Sequence, residues 1–192
     1  MVEANEDNTA WRRALRREMQ ARRAALGAAE HVAWSARIAE HVLAALPVPK
    51  VLAFCWPIKH EPDVRAIVDC WAALGARAAL PVVVARDRPL AFREWHAETP
   101  LEKDRYGIPT PAAGEFLQPD LILLPLNGFD AAGYRLGYGG GYFDRTLAAL
   151  SPRPLAVGVG FELNRLPTIR PESHDQRLDW IVTEAGGFRP DA

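Results

Sequence analysis

Short apolar runs alternate with helix-like segments along most of this chain, and this alternation limits the possible folds more than any other feature. Runs such as 121–126 and 155–161 are apolar over the whole length of a strand. Continuous apolar strands are typical of parallel sheets whose two faces are both covered by helices. Six strand candidates occur, at 51–56, 76–84, 90–95, 121–126, 155–161 and 179–185. The pattern predicts an α/β protein: a single three-layer α/β/α sandwich with a largely parallel (mixed) central sheet of about six strands.

The segments between these runs carry apolar residues at the 3.6-residue spacing of amphipathic helices. Thr9 is a suitable cap for the first helix, which is expected to end near Leu26, just before Gly27. Residues 1–8 are polar and acidic, so we expect a disordered tail there, followed by a single domain over 9–192. Helices are predicted at about 9–26, 28–46, 63–75 and 141–150.

The balance of charges argues against a general polyanion binder. The 192 residues include 23 lysines and arginines against 24 acidic residues, a formal net charge of -1. A protein that coats duplex DNA usually has a strong basic excess, so nucleic acid is not an expected partner. The first predicted helix nevertheless concentrates arginines, and Arg12 and Arg16 are spaced to reach one anion together. For most of these arginines a solvated helix face is the simpler interpretation, and an RNA- or DNA-binding helix is the other non-enzymatic alternative.

The sequence gives no sign of membrane targeting. Its start is acidic and polar, unlike the basic and then apolar start of a signal peptide. No apolar stretch reaches the roughly eighteen residues of a membrane-spanning helix. The two cysteines, Cys55 and Cys70, form neither a CxxC pair nor a cluster with zinc-ligand spacing. We therefore expect a cytoplasmic protein with no membrane partner.

A glycine-rich segment between the apolar run 121–126 and the predicted helix 141–150 is the strongest functional signal. Five glycines fall within nine residues, and Arg135, Asp144 and Arg145 flank them. Backbone N–H groups in such a turn can converge on an anion because no Cβ atoms obstruct them, and the helix dipole adds to the attraction. The segment lacks the GK[ST] of a Walker A loop and the third glycine of GxGxxG. It predicts a phosphate-binding loop; a plain surface turn is the alternative.

Asp144 and Asp175 are the acidic residues that suit a metal ion near this loop. Mg²⁺ prefers one or two carboxylates together with phosphate oxygens. Asp144 also has a structural interpretation, as an acid in the first turn of a helix. The neighbouring residues His174 and Asp175 have one too, as part of a turn. Proximity of the two carboxylates in the fold would favour the metal site.

Glu61 lies in a loop after the first apolar run, just before Asp63, which is placed to cap the third helix. The aromatic residues Trp56, Trp95 and Tyr106 also fall near predicted strand ends. A carboxylate beside aromatic rings suits a planar heterocycle with N–H donors, such as a pterin. The alternative is that these aromatic residues belong to the core.

Taken together, these segments resemble the 5-formyltetrahydrofolate cyclo-ligase (5,10-methenyltetrahydrofolate synthetase) family. The resemblance covers nearly the whole chain, from WRRALRREMQARRAAL at 11–26 to SHDQRLDWIVTE at 173–184. RLGYGGGYFDR at 135–145 matches the family signature RLG-x-G-x-G-[YF]-[YF]-D. VLAFCWPIKHEPD at 51–63 matches a strand that is followed by a glutamate. The resemblance implies the same three-layer sandwich that the apolar pattern predicts.

Carried over by position, the resemblance implies roles for individual residues. Arg16 matches the arginine of the family's K-x-x-L-R motif, in which Arg12 replaces the lysine. The residues implied to bind ATP are Arg12, Arg16, Arg135, Leu136, Gly137, Tyr138, Gly139, Gly140, Gly141, Tyr142 and Phe143. Those implied to line the folate site are Trp56, Glu61 and Tyr106, with Glu61 on the N–H edge of the pterin. Those implied to hold Mg²⁺ are Asp144 and Asp175, and the catalytic set is Arg16, Glu61, Arg135 and Tyr142.

The reaction implied by the resemblance is the ATP-dependent cyclisation of 5-formyltetrahydrofolate to 5,10-methenyltetrahydrofolate, with release of ADP and phosphate. The formyl oxygen attacks the γ-phosphate, N10 adds to the activated carbon, and phosphate leaves. The resemblance implies an enzyme that uses ATP as co-substrate, Mg²⁺ and small-molecule substrates, and we expect a monomer. A nucleotide-binding paralogue with a different substrate or a regulatory role is the alternative.

Overall fold

A computed structural model describes residues 2–190 of the chain; Met1, Asp191 and Ala192 lie outside the described residues. The helices are α1 (Val2–Ala24), α2 (Ala28–Ala45), α3 (Arg65–Ala73) and α4 (Tyr142–Ala149), with a 3₁₀ turn at Glu162–Asn164. The strands are β1 (Val51–Ala53), β2 (Arg77–Val82), β3 (Ala91–Trp95), β4 (Leu101–Lys103), β5 (Pro109–Pro111), β6 (Phe116–Leu117), β7 (Leu121–Pro125), β8 (Gly128–Phe129), β9 (Arg135–Leu136), β10 (Leu155–Val159), β11 (Trp180–Thr183) and β12 (Gly186–Phe188).

The first helix is longer than the sequence pattern indicated. It begins at Val2, so the predicted start at Thr9 is too late. The predicted tail over residues 1–8 stays a prediction. Neither proline nor glycine interrupts this stretch. Asn8 also anchors it, because its Nδ2 donates to Glu172 Oε1 at 2.8 Å. The assignment of 9–192 to one domain stays a prediction.

Eight strands form the central sheet, in the order β12-β11-β10-β7-β1-β2-β3-β6. The five inner strands from β11 to β2 run parallel, while β12, β3 and β6 pair antiparallel at the two edges. The predicted α/β class and mixed, mostly parallel sheet are confirmed, and each of the six predicted runs contains a strand. The strand count of about six is too low, since β6 and β12 were missed. These two strands have only two and three residues, respectively. Neither contains an apolar run, and each forms by pairing with a neighbouring strand.

Both faces of the sheet are buried, as the continuous apolar strands require. On one face, Leu52, Leu123 and Val157 pack with the buried sides of α2 and α3. On the other face, Ile122 and Ala156 pack with the buried side of α4 and with residues of the loops that cross the sheet. The alternation along β7 places successive side chains in opposite cores, so helices flank the sheet on both sides.

The connections from β1 and β7 define where the candidate site lies. These two strands are parallel neighbours, with Leu52 opposite Leu121. Helix α3 follows β1 and leads to β2, which pairs with β1 on one side. Helix α4 lies between β7 and β10, and β10 pairs with β7 on the other side. Diverging connections of this kind create a switch point at the carboxyl ends of the strands, where open α/β sheets bind ligands.

Within residues 2–190, none of the helices is both long enough and apolar enough to cross a membrane.

A substitution at Leu123 tests whether this side chain packs in the core between the sheet and helices α2 and α3. Its side chain on β7 is 1% exposed, so Leu123→Ala should lower the free energy of unfolding by about 2–5 kcal/mol through lost burial and a residual cavity. Leu74→Ala, at a position that is 66% exposed, is the matched control and should change it by no more than about 0.5 kcal/mol. Equal losses in urea-unfolding experiments on both variants would contradict this assignment of the core.

Candidate active site

The glycine loop, defined here as residues 137–141, leads directly into α4. The short hairpin of β8 and β9 separates it from β7, a connection that the sequence pattern did not predict. Gly139 has φ 97° and Gly141 has φ 61°, left-handed conformations that favour glycine. In the described part of the chain, no acceptor is bonded to the N–H groups of residues 139–141. The loop therefore presents free donors at the start of a helix, an arrangement suited to an anion.

Arg16 of α1 holds the glycine loop from one side. Its Nε donates to the carbonyl oxygen of Gly137 at 2.8 Å. A Cβ atom at Gly139 would lie 3.3 Å from the Arg16 guanidinium carbon, so the absence of a side chain there lets the arginine approach the backbone. On the other side, Arg145 Nη2 donates to the Gly140 carbonyl oxygen at 2.6 Å. Two guanidinium groups thus border the loop, and their positive charge favours a bound anion.

Arg12 lies one turn before Arg16 and binds Asp175 with both terminal nitrogens. Nη2 donates to Oδ1 at 3.2 Å, and Nη1 lies 3.1 Å from Oδ2. Oδ2 also accepts the N–H of Glu172 at 2.7 Å. Both side chains are less than one-tenth exposed, so the pair is buried. This buried contact connects α1 to the loop before β11.

A second ion pair joins the buried Arg135 of β9 to the half-buried Asp144 of α4, with Nη2 2.8 Å from Oδ1. The same Oδ1 accepts the N–H of Gln176 at 3.0 Å, and Arg135 Nη1 donates to the Gln176 carbonyl oxygen at 2.8 Å. Burial lowers the pKa of Arg135, and the charge of Asp144 opposes that effect. Because Gln176 follows Asp175 directly, these contacts bring the loop that carries Asp175 beside Asp144.

The loop before Glu61 has an unusual backbone. Lys59 and His60 have φ values of 48° and 59°, the left-handed region that non-glycine residues seldom adopt. The Lys59 carbonyl oxygen accepts a hydrogen bond from Arg23 Nε at 3.0 Å, and His31 Nε2 lies 2.9 Å from the Glu61 carbonyl oxygen. These contacts hold the strained segment, and strain of this kind is concentrated at functional sites.

The Glu61 carboxylate is 4% exposed and has a protein donor on each oxygen. Oε2 accepts the N–H of Ile58 at 3.0 Å, and Oε1 accepts a short hydrogen bond from the Tyr138 hydroxyl. Burial raises the pKa of Glu61, while these two hydrogen bonds and the nearby Arg23 and Lys59 charges favour its ionised form. Burial and the charge of Glu61 also raise the pKa of Tyr138, so its hydroxyl keeps its proton at neutral pH.

Other predicted site residues occupy different surroundings. Tyr106, at the turn between β4 and β5, is exposed, and its hydroxyl lies 2.9 Å from that of Tyr142 at the start of α4. Trp56 packs edge to face against Trp95, with ring centroids 6.0 Å apart. Leu136 is fully buried, so only its backbone can face a ligand at the loop. The structure therefore joins Tyr106 to the start of α4, next to the glycine loop, whereas the predicted contacts of Tyr106 and Trp56 with substrate stay predictions.

Arg23 is a site residue that the sequence interpretation missed. Its side chain is fully buried and donates from all three guanidinium nitrogens: Nε to Lys59, Nη1 to the Leu126 carbonyl oxygen at 3.1 Å, and Nη2 to the Tyr138 hydroxyl at 3.2 Å. A signal was present, because Arg16 and Arg23 are seven residues apart and share one helix face with buried Met19. An arginine on the apolar face of a helix is expected to be buried, whereas an arginine on the solvated face is not.

The described residues contain no group of three or more histidine, cysteine or acidic side chains arranged for a metal ion. Asp144 uses only Oδ1 in the contacts given above, which leaves Oδ2 for a cation that is also bound by phosphate oxygens. Asp175 differs from Asp144, because both of its carboxylate oxygens already bind Arg12 and one of them also accepts the N–H of Glu172. Asp144 fits a Mg²⁺ site, and Asp175 fits one only if Arg12 releases it.

Fold and site together define a class of protein: an α/β sandwich with a glycine loop and a buried carboxylate at the carboxyl edge of its parallel strands. Within this class, the chain belongs to the 5-formyltetrahydrofolate cyclo-ligase family, whose sequence model matches residues 8–184. The resemblance seen in the sequence motifs is thereby confirmed.

Individual relatives agree with this assignment. The 5-formyltetrahydrofolate cyclo-ligase of Mycolicibacterium smegmatis is 34% identical over 143 residues, which cover 69% of this chain and 72% of the relative. The solution structure of 5,10-methenyltetrahydrofolate synthetase from Aquifex aeolicus superposes with a TM-score of 0.79 at 28% identity, over 94% of this chain and 93% of that one. The corresponding synthetase from Mycoplasma pneumoniae gives 0.75 at 26% identity, over 90% and 98%.

The raised pKa of Glu61 predicts a pH-dependent contribution to stability. The folded state holds this proton more tightly than the unfolded chain, so the contribution is fully present below the ordinary value of 4.5 and is lost as the pH rises through the raised value. Relative to Glu61→Gln, the wild-type free energy of unfolding should therefore fall from pH 4.5 towards neutrality.

Urea unfolding at a series of pH values measures this difference. Glu94→Gln is the contrasting control, because its hydrogen bond to Arg77 lowers the pKa of Glu94. The contribution of Glu94 to the free energy of unfolding is therefore present above pH 4.5 and is lost on acidification, the opposite direction to that of Glu61. Parallel pH profiles for wild type and Glu61→Gln would show that Glu61 is not held as described.

Proposed function

We propose that this protein catalyses the ATP-dependent cyclisation of 5-formyltetrahydrofolate to 5,10-methenyltetrahydrofolate, with release of ADP and phosphate. The observation that carries the proposal is the direct contact between two parts of the site. Tyr138 of the glycine loop binds Glu61, so a loop suited to polyphosphate adjoins a buried carboxylate suited to the N–H groups of a pterin. Family membership supplies the reaction for which this pair is suited.

The glycine loop would hold the nucleotide phosphates. The N–H groups of residues 139–141 and the positive end of α4 suit the β- and γ-phosphates, and Arg16 and Arg145 border the same loop. Arg12 is less available, because Asp175 neutralises it in a buried pair. We therefore assign the main phosphate contact on α1 to Arg16 and the positioning of the Asp175 loop to Arg12.

Glu61 would bind the pterin ring. An ionised carboxylate has about four acceptor positions, and Ile58 and Tyr138 use two of them. Two positions remain for neighbouring N–H donors of a heterocycle. Recognition by a buried carboxylate is selective, because a ligand without those donors would leave the charge unpaired.

In the proposed reaction, the formyl oxygen of the substrate attacks the γ-phosphorus and the bond to the ADP oxygen breaks. The resulting iminium phosphate has an electrophilic carbon, to which N10 adds with its electron pair. N10 then releases its proton to the phosphate oxygens or to solvent, and the N5 electron pair breaks the bond between carbon and the phosphate oxygen. Phosphate then leaves and the positively charged methenyl bridge remains. The protein would act by positioning and by electrostatics: Glu61 orients the pterin, and the loop amides and Arg16 stabilise charge on the phosphoryl oxygens during transfer.

Mg²⁺ belongs to the proposal through Asp144. Its Oδ2 atom, together with phosphate oxygens of ATP, provides the ligands that this cation prefers. Bound there, the ion would neutralise part of the phosphate charge.

An absorbance assay for the methenyl product tests the proposal directly. Wild-type protein supplied with Mg²⁺, ATP and 5-formyltetrahydrofolate should form the product, and omission of ATP should abolish its formation. Glu61→Ala should bind ATP normally and weaken folate binding by about tenfold or more, because a charge-assisted contact is lost. Arg16→Ala should instead raise the KM for ATP.

Arg13→Ala is the matched control for Arg16→Ala, since Arg13 lies on the exposed side of the same helix. It should leave both Michaelis constants unchanged. No product from folded wild-type protein would overturn the proposed function.

A further inference from the structure

Tyr138 has a position that neither the sequence signature nor the family assignment explains. Its backbone belongs to the glycine loop between Gly137 and Gly139, but its hydroxyl reaches the carboxylate of Glu61. Two cations also lie beside this partly exposed side chain: Arg23 Nη2 is 3.2 Å from the hydroxyl, and Lys59 Nζ is 5.0 Å from the ring centroid. The role expected for Tyr138 was nucleotide binding, yet its side chain faces the folate part of the site.

The donors and acceptors in this network determine where the hydroxyl proton points. A guanidinium group can only donate hydrogen bonds, so the Tyr138 oxygen accepts from Arg23. The single hydroxyl proton is then free to be donated to Glu61 Oε1. The positive charge of Arg23 polarises the hydroxyl and makes it a stronger donor. The result is a directed chain of hydrogen bonds from Arg23 through Tyr138 to Glu61.

We propose that Tyr138 is a positioning residue for the reaction, whose hydroxyl fixes the orientation of the Glu61 carboxylate and keeps it ionised for pterin binding. This inference rests on the proposed function of Glu61. With Ile58 on Oε2 and Tyr138 on Oε1, the carboxylate plane is held from two sides. The remaining acceptor positions can then accept the pterin N–H groups without a change in the orientation of the carboxylate.

Several charged and titratable groups lie around Glu61. Arg23 from α1 and Lys59 from the same loop favour the ionised carboxylate, and burial opposes it. Cys55 keeps its proton, because burial and the Glu61 charge raise the pKa of its thiol. His31 from α2 contacts the Glu61 backbone carbonyl and not the carboxylate. Tyr138 is the one neighbour in this set whose hydroxyl can be removed without a change of charge.

The test compares Tyr138→Phe with Tyr134→Phe. Each change removes one hydroxyl and keeps the ring, but Tyr134 lies on the β8–β9 connection, where its ring faces Arg177. Binding of 5-formyltetrahydrofolate without nucleotide is measured by tryptophan fluorescence from acidic to alkaline pH, and steady-state kinetics follow on the same proteins. Binding without nucleotide separates this inference from phosphoryl transfer.

For Tyr138→Phe we expect folate affinity at neutral pH to fall about tenfold, the cost of one hydrogen bond to a charged group. The acid limb of the binding profile should move to higher pH, because loss of the donor destabilises the ionised carboxylate. The loss of affinity should therefore be larger at acidic than at alkaline pH. The KM for folate should rise more than kcat falls, and Tyr134→Phe should match the wild type throughout.

An unchanged pH profile in Tyr138→Phe would overturn the inference, even if overall affinity or stability fell, because a merely structural tyrosine would not move the acid limb. An equal shift in Tyr134→Phe would also overturn it. Failure of the proposed function looks different: wild-type protein would then bind no folate or form no methenyl product. If wild type binds folate without turning it over, the comparison of the two variants still decides the role of Tyr138.

Discussion

The fully buried guanidinium of Arg23 donates hydrogen bonds to the loop after β1, to the end of β7 and to the glycine loop. A buried charge with unmet donors would cost several kcal/mol, so these three segments stabilise the arginine as much as it fixes them. The loop after β1 carries Glu61, the end of β7 lies beside the switch point, and the glycine loop carries Tyr138. Their relative positions, and with them the geometry of the candidate site, depend on this one side chain.

Around Arg23, the site is organised as pairs of opposite charge. Arg12 with Asp175, and Arg135 with Asp144, connect α1, β9 and α4 to the loop before β11. Arg12, Asp175 and Arg135 have buried side chains and Asp144 is half-buried, so each partner compensates the desolvation of the other. Arg16 differs, because its partner is a backbone carbonyl of the glycine loop and its charge stays available to an anion. The near-neutral composition of the chain therefore averages over a site in which most charges are paired, while Arg16 and Arg145 border the glycine loop.

The sequence predicted the sheet better than the site. Continuous apolar runs are the direct consequence of burial on both faces, so the six sheet strands that lie in such runs were recognised, whereas β6 and β12 depend on pairing with a neighbour. The glycine loop and Glu61 could be proposed from the sequence because clustered glycines and a carboxylate beside aromatic residues are recognisable in a short segment. Arg23 and the side-chain direction of Tyr138 were not, because both follow from contacts between segments that are 36 to 115 residues apart in the sequence. The bidentate pairing of Asp175 with Arg12 is a tertiary contact of the same kind.

The central claim is that the glycine loop and Glu61 form one site for two ligands. The most direct measurement is a crystal structure of the protein with a non-hydrolysable ATP analogue and 5-formyltetrahydrofolate. We predict the pterin N–H groups within about 2.7–3.2 Å of the Glu61 carboxylate oxygens, and the triphosphate on the N–H groups of residues 139–141. A pterin bound away from Glu61, or a triphosphate bound away from the glycine loop, would contradict the account.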